Sequence, residues 1–382
     1  MRASVLSAAT VAALVGYAAS VAIVLSAATA LGATPGQTAS WLLAICLGKA
    51  AGSAFLSWRA KVPMVLAWST PGAALIAATQ GISFAEGAGA FVVTGLLIAA
   101  TGLIRPLGAL VARIPDGIAA GMLAGVLLPF CLKGATAAQG LPALVLPMVA
   151  VFLVVRLWNP AMATLAAFAT GIALALLTGS DLSTLHLSAP LLQVTLPEFR
   201  PGVILGLALP LYLVTMASQN LPGFATLRAA GYEPPVSAAL TTTGLISTVT
   251  AFLGAHTVSM AAITAAICLG PQVHPDKERR WIVGPAYAGA WVLLGLLSPT
   301  VLQLLAALPA PVVAALVALA LLGPLTGALT AAFAHPDQRL PATLTLVTTA
   351  SGMAAFGIGA AFWGLMVGLA VWGLEHQKLR RA

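Results

Sequence analysis

The chain has 382 residues, 60% hydrophobic and 7% charged, with a formal net charge of +8. A soluble domain carries roughly 25% charged residues, so this composition, with mean hydropathy +1.03, places the chain in a bilayer and argues against an enzyme working in bulk water. The positive charge does not point to nucleic acid, because Lys and Arg stand singly or in small groups between apolar runs.

In chain order, the apolar runs predict segments at 4–31, 37–57, 71–80 (half-length), 86–104, 111–130, 142–156, 160–177, 202–227, 236–253, 258–270 (half-length), 282–306, 309–333, 341–355 and 358–375. The ten-residue alternation of a membrane β-barrel does not dominate anywhere. The first run ends near Ala28-Thr29-Ala30, as a signal peptide would, yet it is too long for an h-region and is taken as the first span. The longest polar stretch is Thr178 to Pro201, and Pro299, Pro309, Pro324 and Pro341 permit other partitions after residue 300. Cys46, Cys131 and Cys268 lie in apolar segments in odd number and without metal spacing, so they read as small core residues.

The fold class expected is an all-α polytopic membrane protein of fourteen segments in a 7+7 inverted repeat. With the N-terminus inside, fourteen of the seventeen Lys and Arg residues fall at cytoplasmic ends, Lys133 and Arg200 fall outside, and Lys49 is left within a span. That bias predicts a multi-pass protein of the bacterial inner membrane with both termini cytoplasmic. Internal matches support a repeat. Val15-Gly16-Tyr17-Ala18-Ala19-Ser20 aligns with Val214-Thr215-Met216-Ala217-Ser218-Gln219, 199 positions on, and the same offset pairs Gly32 with Gly231 and Pro35 with Pro234. Gly102-Leu103-Ile104-Arg105-Pro106 aligns with Gly295-Leu296-Leu297-Ser298-Pro299, and Ile114-Pro115 with Leu308-Pro309. Seven segments per half is odd, so the halves must enter the membrane from opposite sides, as in many secondary transporters.

In such folds the substrate sits at the midplane, between broken helices. Two short, interrupted segments stand at matching places: Val62 to Gly72 and Phe252 to Met260. Each reads as an extended piece followed by a helix start. Pro71 suits a first helical turn, with Ser69 or Thr70 as its cap, and Thr257 or Ser259 would cap the other. The open N–H groups of two helix starts favour an anion without a fixed cation, and no Lys or Arg falls near either start in the sequence. A third feature is Val214-Thr215-Met216-Ala217-Ser218-Gln219-Asn220-Leu221-Pro222-Gly223, which sets two amides inside a membrane-length run.

That run, followed by Leu227-Arg228-Ala229-Ala230-Gly231-Tyr232, resembles the benzoate/proton symporter family over nearly the whole chain. The family is related to the nucleobase permeases and the sulfate-type anion transporters. The resemblance implies a core domain (1–104 and 200–306), a gate domain (105–180 and 307–376), short antiparallel strands ahead of half-helices 3 and 10, and a homodimer made through the gate. Uracil permeases carry a glutamate just before half-helix 10; aligning Met260-Ala261-Ala262-Ile263-Thr264 with their pattern puts His256 there, a departure that suits an acid substrate better than a neutral base.

Each polar residue also has a plain structural reading. His256 titrates near pH 6.5 when unperturbed, so it is a candidate for the coupled proton or the carboxylate, against a neutral histidine bonded to a neighbouring helix. Gln219 and Asn220 point about 100° apart on a helix, so one of them is expected at the substrate and the other as interhelical glue. Tyr17 and Ser20 share a face of the first helix and Trp68 offers a ring for stacking, with packing as the alternative. For Ser69, Thr70, Thr257 and Ser259, capping and binding coincide. Glu86 is a helix-start carboxylate or a second proton-relay candidate, and Asp116 a helix-start charge. No Gly-rich phosphate loop, metal cluster or catalytic triad occurs, so no cofactor is expected. The expected function is proton-coupled import of benzoate or a similar aromatic carboxylate; the alternatives are another small anion or a nucleobase as cargo, or an anion channel.

Overall fold

A computed structural model describes residues 2–104, 114–179, 185–261 and 263–379. Arg105, Arg113, Arg380 and Arg381 of the charge pattern, and the start of the predicted segment 111–130, lie outside the described residues.

Helices occupy most of the chain. The first run is one span-length segment, as expected, with a break that divides it into α1 (Ala3–Ala18) and α2 (Val21–Ala30). The break falls at Ser20, whose hydroxyl donates back to Gly16 O at 2.7 Å; such back-bonding bends helices. Gly32, with φ +70°, then turns the chain into α3 (Pro35–Ala60). That helix starts on a capping box between Thr34 and Gln37 with Pro35 in its first turn, the pattern that pairs its orphan N–H groups.

After α3 the chain extends as β1 (Leu66–Trp68) and enters the half-helix α4 (Thr70–Ala77), which Ser69 caps by accepting from Gly72 N at 3.1 Å. The helix α5 (Phe84–Leu103) follows, capped by Ser83 and Glu86. Next come α6 (Asp116–Gly140), α7 (Pro142–Trp158) and α8 (Ala163–Leu177). Residues 185–200 of the polar stretch have no regular structure, yet they are tied down: Gln193 N donates to Ser40 Oγ, Thr195 N to Phe252 O and Glu198 N to Ala85 O.

The second half begins with α9 (Pro201–Ala229), a continuous helix with π-type turns at Ile204–Ala208 and Met216–Asn220. Then follow α10 (Val236–Ala251), β2 (Val258–Met260), α11 (Ile263–Leu269), α12 (Val283–Leu296), α13 (Ser298–Ala307), α14 (Ala310–Ala332), α15 (Arg339–Ala350) and α16 (Ala360–Leu379). Residues 258–260 form a strand rather than the start of a half-helix, and 282–306 is bent by 57° between α12 and α13 at Leu297-Ser298. A small hairpin of β3 (Ala354–Ala355) and β4 (Ile358–Gly359), not anticipated from the sequence, closes the tight turn before α16. Among the described residues six helices are long and apolar enough to cross a membrane, or seven if the bent pair counts as one.

The strands β1 and β2 pair antiparallel, Leu66 with Met260 and Trp68 with Val258, so α4 and α11 start from one two-stranded seam. Around it α3 packs on α12 and α5 on α10; elsewhere α6 packs on α14 and α15, α7 on α8, and α15 on α16. Small residues allow these approaches. A Cβ on Gly95 would lie 2.6 Å from Thr248 N, and one on Gly125 2.6 Å from Leu346 O. Leucines such as Leu96, Leu153 and Leu157 point outward, as lipid-facing surface requires.

Candidate functional site

A cavity of about 680 Å³ opens between the strand seam and the α6–α14 pair. One wall carries Ser20, Lys49, Trp68, Thr70, Gln219 and Trp291; the other is mostly small and apolar (Ala119, Ala120, Pro324, Gly327, Ala328) with Asp116 as its carboxylate.

The two Trp rings are held from several elements. Trp68, on β1, donates its Nε1 to Ser20 Oγ at 2.6 Å, so the break between α1 and α2 creates the acceptor that orients it. Trp291, on α12, stands edge-on to Trp68 with centroids 5.3 Å apart. Tyr17 packs at 5.6 Å from Trp68 and 5.9 Å from Trp291. Tyr287 lies 5.8 Å from Trp291 and donates its hydroxyl to Leu66 O at 3.0 Å. Into this aromatic cluster α3 inserts Lys49, whose Nζ sits 2.9 Å from the Trp291 centroid and 3.5 Å from that of Trp68. The sequence shows no cation near a half-helix start; the fold puts one against the strand that leads into α4. A lone ionisable residue in an apolar segment is a site signal in its own right, and Lys49 carried that signal.

Of the residues singled out in the sequence, Ser20, Trp68, Thr70 and Gln219 line the cavity, and Tyr17 backs it through the two Trp rings. Ser69, Asn220, His256, Thr257 and Ser259 are buried behind it, where they stitch the seam. Asn220 Oδ1 accepts from Met260 N at 2.9 Å while Gln219 faces the cavity, in keeping with their angular separation on α9. Thr257 bonds Thr215 at 3.1 Å, and Ser259 Oγ donates to Ala67 O at 3.4 Å. Neither caps α11, because Thr257 precedes β2 and Ser259 lies in it, whereas the helix begins at Ile263.

His256 is fully buried. Trp41 Nε1, which can only donate, points at its Nδ1 from 2.9 Å, so Nδ1 accepts and the ring proton resides on Nε2, 3.3 Å from Ser69 O. A neutral imidazole therefore satisfies both partners. Glu86 is likewise engaged away from the cavity: Oε2 accepts from Ser83 N at 2.8 Å, and Oε1 pairs with Arg200 at 2.8 Å. Among the described residues no group of His, Cys, Asp and Glu could hold a metal ion, and the three cysteines are free.

A helical membrane bundle, interrupted by two half-helices at one strand seam and enclosing an apolar cavity with a few convergent polar groups, defines a membrane transporter of small molecules, not an enzyme. The transmembrane domain of a cyanobacterium bicarbonate transporter, BicA, has the same fold: TM-score 0.61, 14% identity, covering 96% of this chain and 97% of that one. The chain belongs to the benzoate membrane transport protein (BenE) family, whose profile matches residues 1–374. The benzoate membrane transport protein of Acinetobacter baylyi is 36% identical over 332 residues, 86% of this chain and 84% of the relative. Inner membrane protein YdcO of Escherichia coli (strain K12) is 40% identical over 357 residues, 93% of this chain and 91% of the relative.

Proposed function

We propose that this chain imports benzoate or a similar aromatic carboxylate together with a proton across the bacterial inner membrane, both termini being cytoplasmic. The observation that carries the reading is the cavity, where Trp68 and Trp291 offer ring faces to an aromatic body and Thr70, at the start of α4, and Gln219 offer donors to a carboxylate. The family, and a relative named for benzoate transport, agree with it.

The transport cycle moves a core of α1–α5 and α9–α13 against a gate of α6–α8 and α14–α16. Packing supports that division, since the heaviest contacts, α5 with α10, α3 with α12 and α6 with α14 and α15, fall within one group or the other. The fourteen-segment inverted repeat is supported by matched backbone. Gly32 and Gly231 both take positive φ, +70° and +78°, one residue beyond the caps of α2 and α9. Pro115 and Pro309 precede α6 and α14 with φ/ψ of −58°/131° and −56°/137°.

Proton coupling has a physical motive. A carboxylate entering a negative interior works against about 2.3 kcal/mol per 100 mV, and a proton cancels that charge. Uptake into proteoliposomes, with calorimetric binding to benzoate, salicylate, uracil and sulfate, tests the whole reading. Selective benzoate binding, uptake stimulated by external acid and accumulation abolished by a protonophore are expected. Preference for uracil or sulfate would change the cargo, and current far above carrier rates without accumulation would make the protein a channel.

A further inference from the structure

Lys49 lies near the middle of α3 and is the one fully buried Lys or Arg among the described residues. Its Nζ has no hydrogen-bond partner and joins no ion pair. Two indole faces hold it, and they attract a cation or accept an N–H from a neutral amine. An ammonium at this depth lacks the counter-ion that buried charge ordinarily requires. The same side chain forms part of the cavity wall, and its amine sits on a flexible four-carbon stem.

Resting on the aromatic-carboxylate reading above, we propose that Lys49 is the substrate's fixed partner: its amine takes up the coupled proton as the carboxylate arrives and pairs with it as an ammonium. The proton adds to the amine lone pair from the outer water, the neutral pair crosses, and departure of the carboxylate inside returns the proton to water. No covalent bond changes. The aromatic ring takes the faces of Trp68 and Trp291 that the amine leaves for the anion. The arrangement also explains an anion site that, when empty, buries an amine without an acid beside it.

The titratable groups facing Lys49 are few. Cys46 is the nearest on its own helix, Tyr17 comes from α1 and Tyr287 from α12, and His256 stands ahead of β2 with both nitrogens already bonded. Asp116, on α6, lines the opposite wall and makes no ion pair with Lys49. It is the competing proton carrier.

The test is calorimetric titration of the purified full chain with benzoate, in two neutral buffers of different ionisation heat, which counts protons taken up per ligand. The wild type is expected to bind with uptake of about one proton. Lys49→Arg, permanently charged, is expected to bind benzoate without proton uptake, and Lys49→Met to lose at least about tenfold in affinity. Benzoate binding by the wild type without proton uptake, or the same uptake in Lys49→Arg, overturns the role of Lys49 and leaves the transporter reading standing. No benzoate binding by the wild type overturns the reading itself. If Lys49→Met does not fold, the wild-type proton count and Lys49→Arg still decide.

Discussion

The Trp68 indole donates to the Ser20 hydroxyl at 2.6 Å, and that one bond joins the strand ahead of α4 to the break between α1 and α2. Ser20 is at the same time bonded back to Gly16 O. The group that interrupts the first helix is thus also the group that aims the ring at the cavity.

Ser20→Ala removes the acceptor and leaves the indole N–H unpaired. A net hydrogen bond is worth about 0.5–1.5 kcal/mol, so benzoate affinity should fall roughly three- to tenfold, with partial recovery in Ser20→Thr. Binding of wild-type strength in Ser20→Ala, measured by calorimetry, would detach Trp68 orientation from recognition.

Gln219 and Asn220 are adjacent in sequence but should fail differently. Gln219→Leu alters the cavity wall and should weaken binding with little change in melting temperature. Asn220→Leu abandons Met260 N, a buried donor on β2, and should cost about 1–3 kcal/mol of stability. Thermal unfolding and binding of both variants separate the two effects; identical behaviour would contradict the geometry.

His256→Ala leaves the buried Trp41 Nε1 without its acceptor, while Ser69 O keeps only Ala73 N. A stability loss of about 1–3 kcal/mol is expected, together with retained stimulation of uptake by external acid. Loss of that stimulation in a variant that still binds benzoate would make His256 the proton carrier after all.

Glu86 both caps α5 and pairs with Arg200, which is 66% exposed. Glu86→Gln keeps the capping-box acceptor, as Gln37 does in α3, and loses the pair with a largely exposed Arg, so it should cost no more than about 1 kcal/mol and leave the proton dependence of uptake intact. An uptake profile that becomes indifferent to external pH would return Glu86 to the proton path.

The α5–α10 contact depends on glycine. Gly95→Ala drives a Cβ against Thr248 N, whereas nothing lies within 4 Å of a Cβ on Gly289. Overpacking costs about 1–3 kcal/mol, so Gly95→Ala should melt well below the wild type and Gly289→Ala beside it. Equal melting of the two would show that the helices part without cost.

The element map was legible because its signals are local. Apolar run length, and Pro71 in a first turn, locate helices within a few residues of those observed. What misled was also local. An apolar stretch such as Val258–Met260 has no property that separates a buried strand from a helix start, and only its partner Leu66–Trp68 decides it.

The sequence by itself determined that this is a polytopic membrane protein, which segments form helices, and that polar chemistry gathers near Trp68, Gln219 and His256, because hydrocarbon tolerates so few polar side chains that each one stands out. Only the tertiary structure decided which of them meet the cavity. His256 and Asn220 turn away to satisfy buried backbone and indole groups, while Lys49 arrives between Trp68 and Trp291 from the middle of α3. The direction of a side chain and its choice of partner follow from how helices cross, and that is set by packing between segments far apart in the chain.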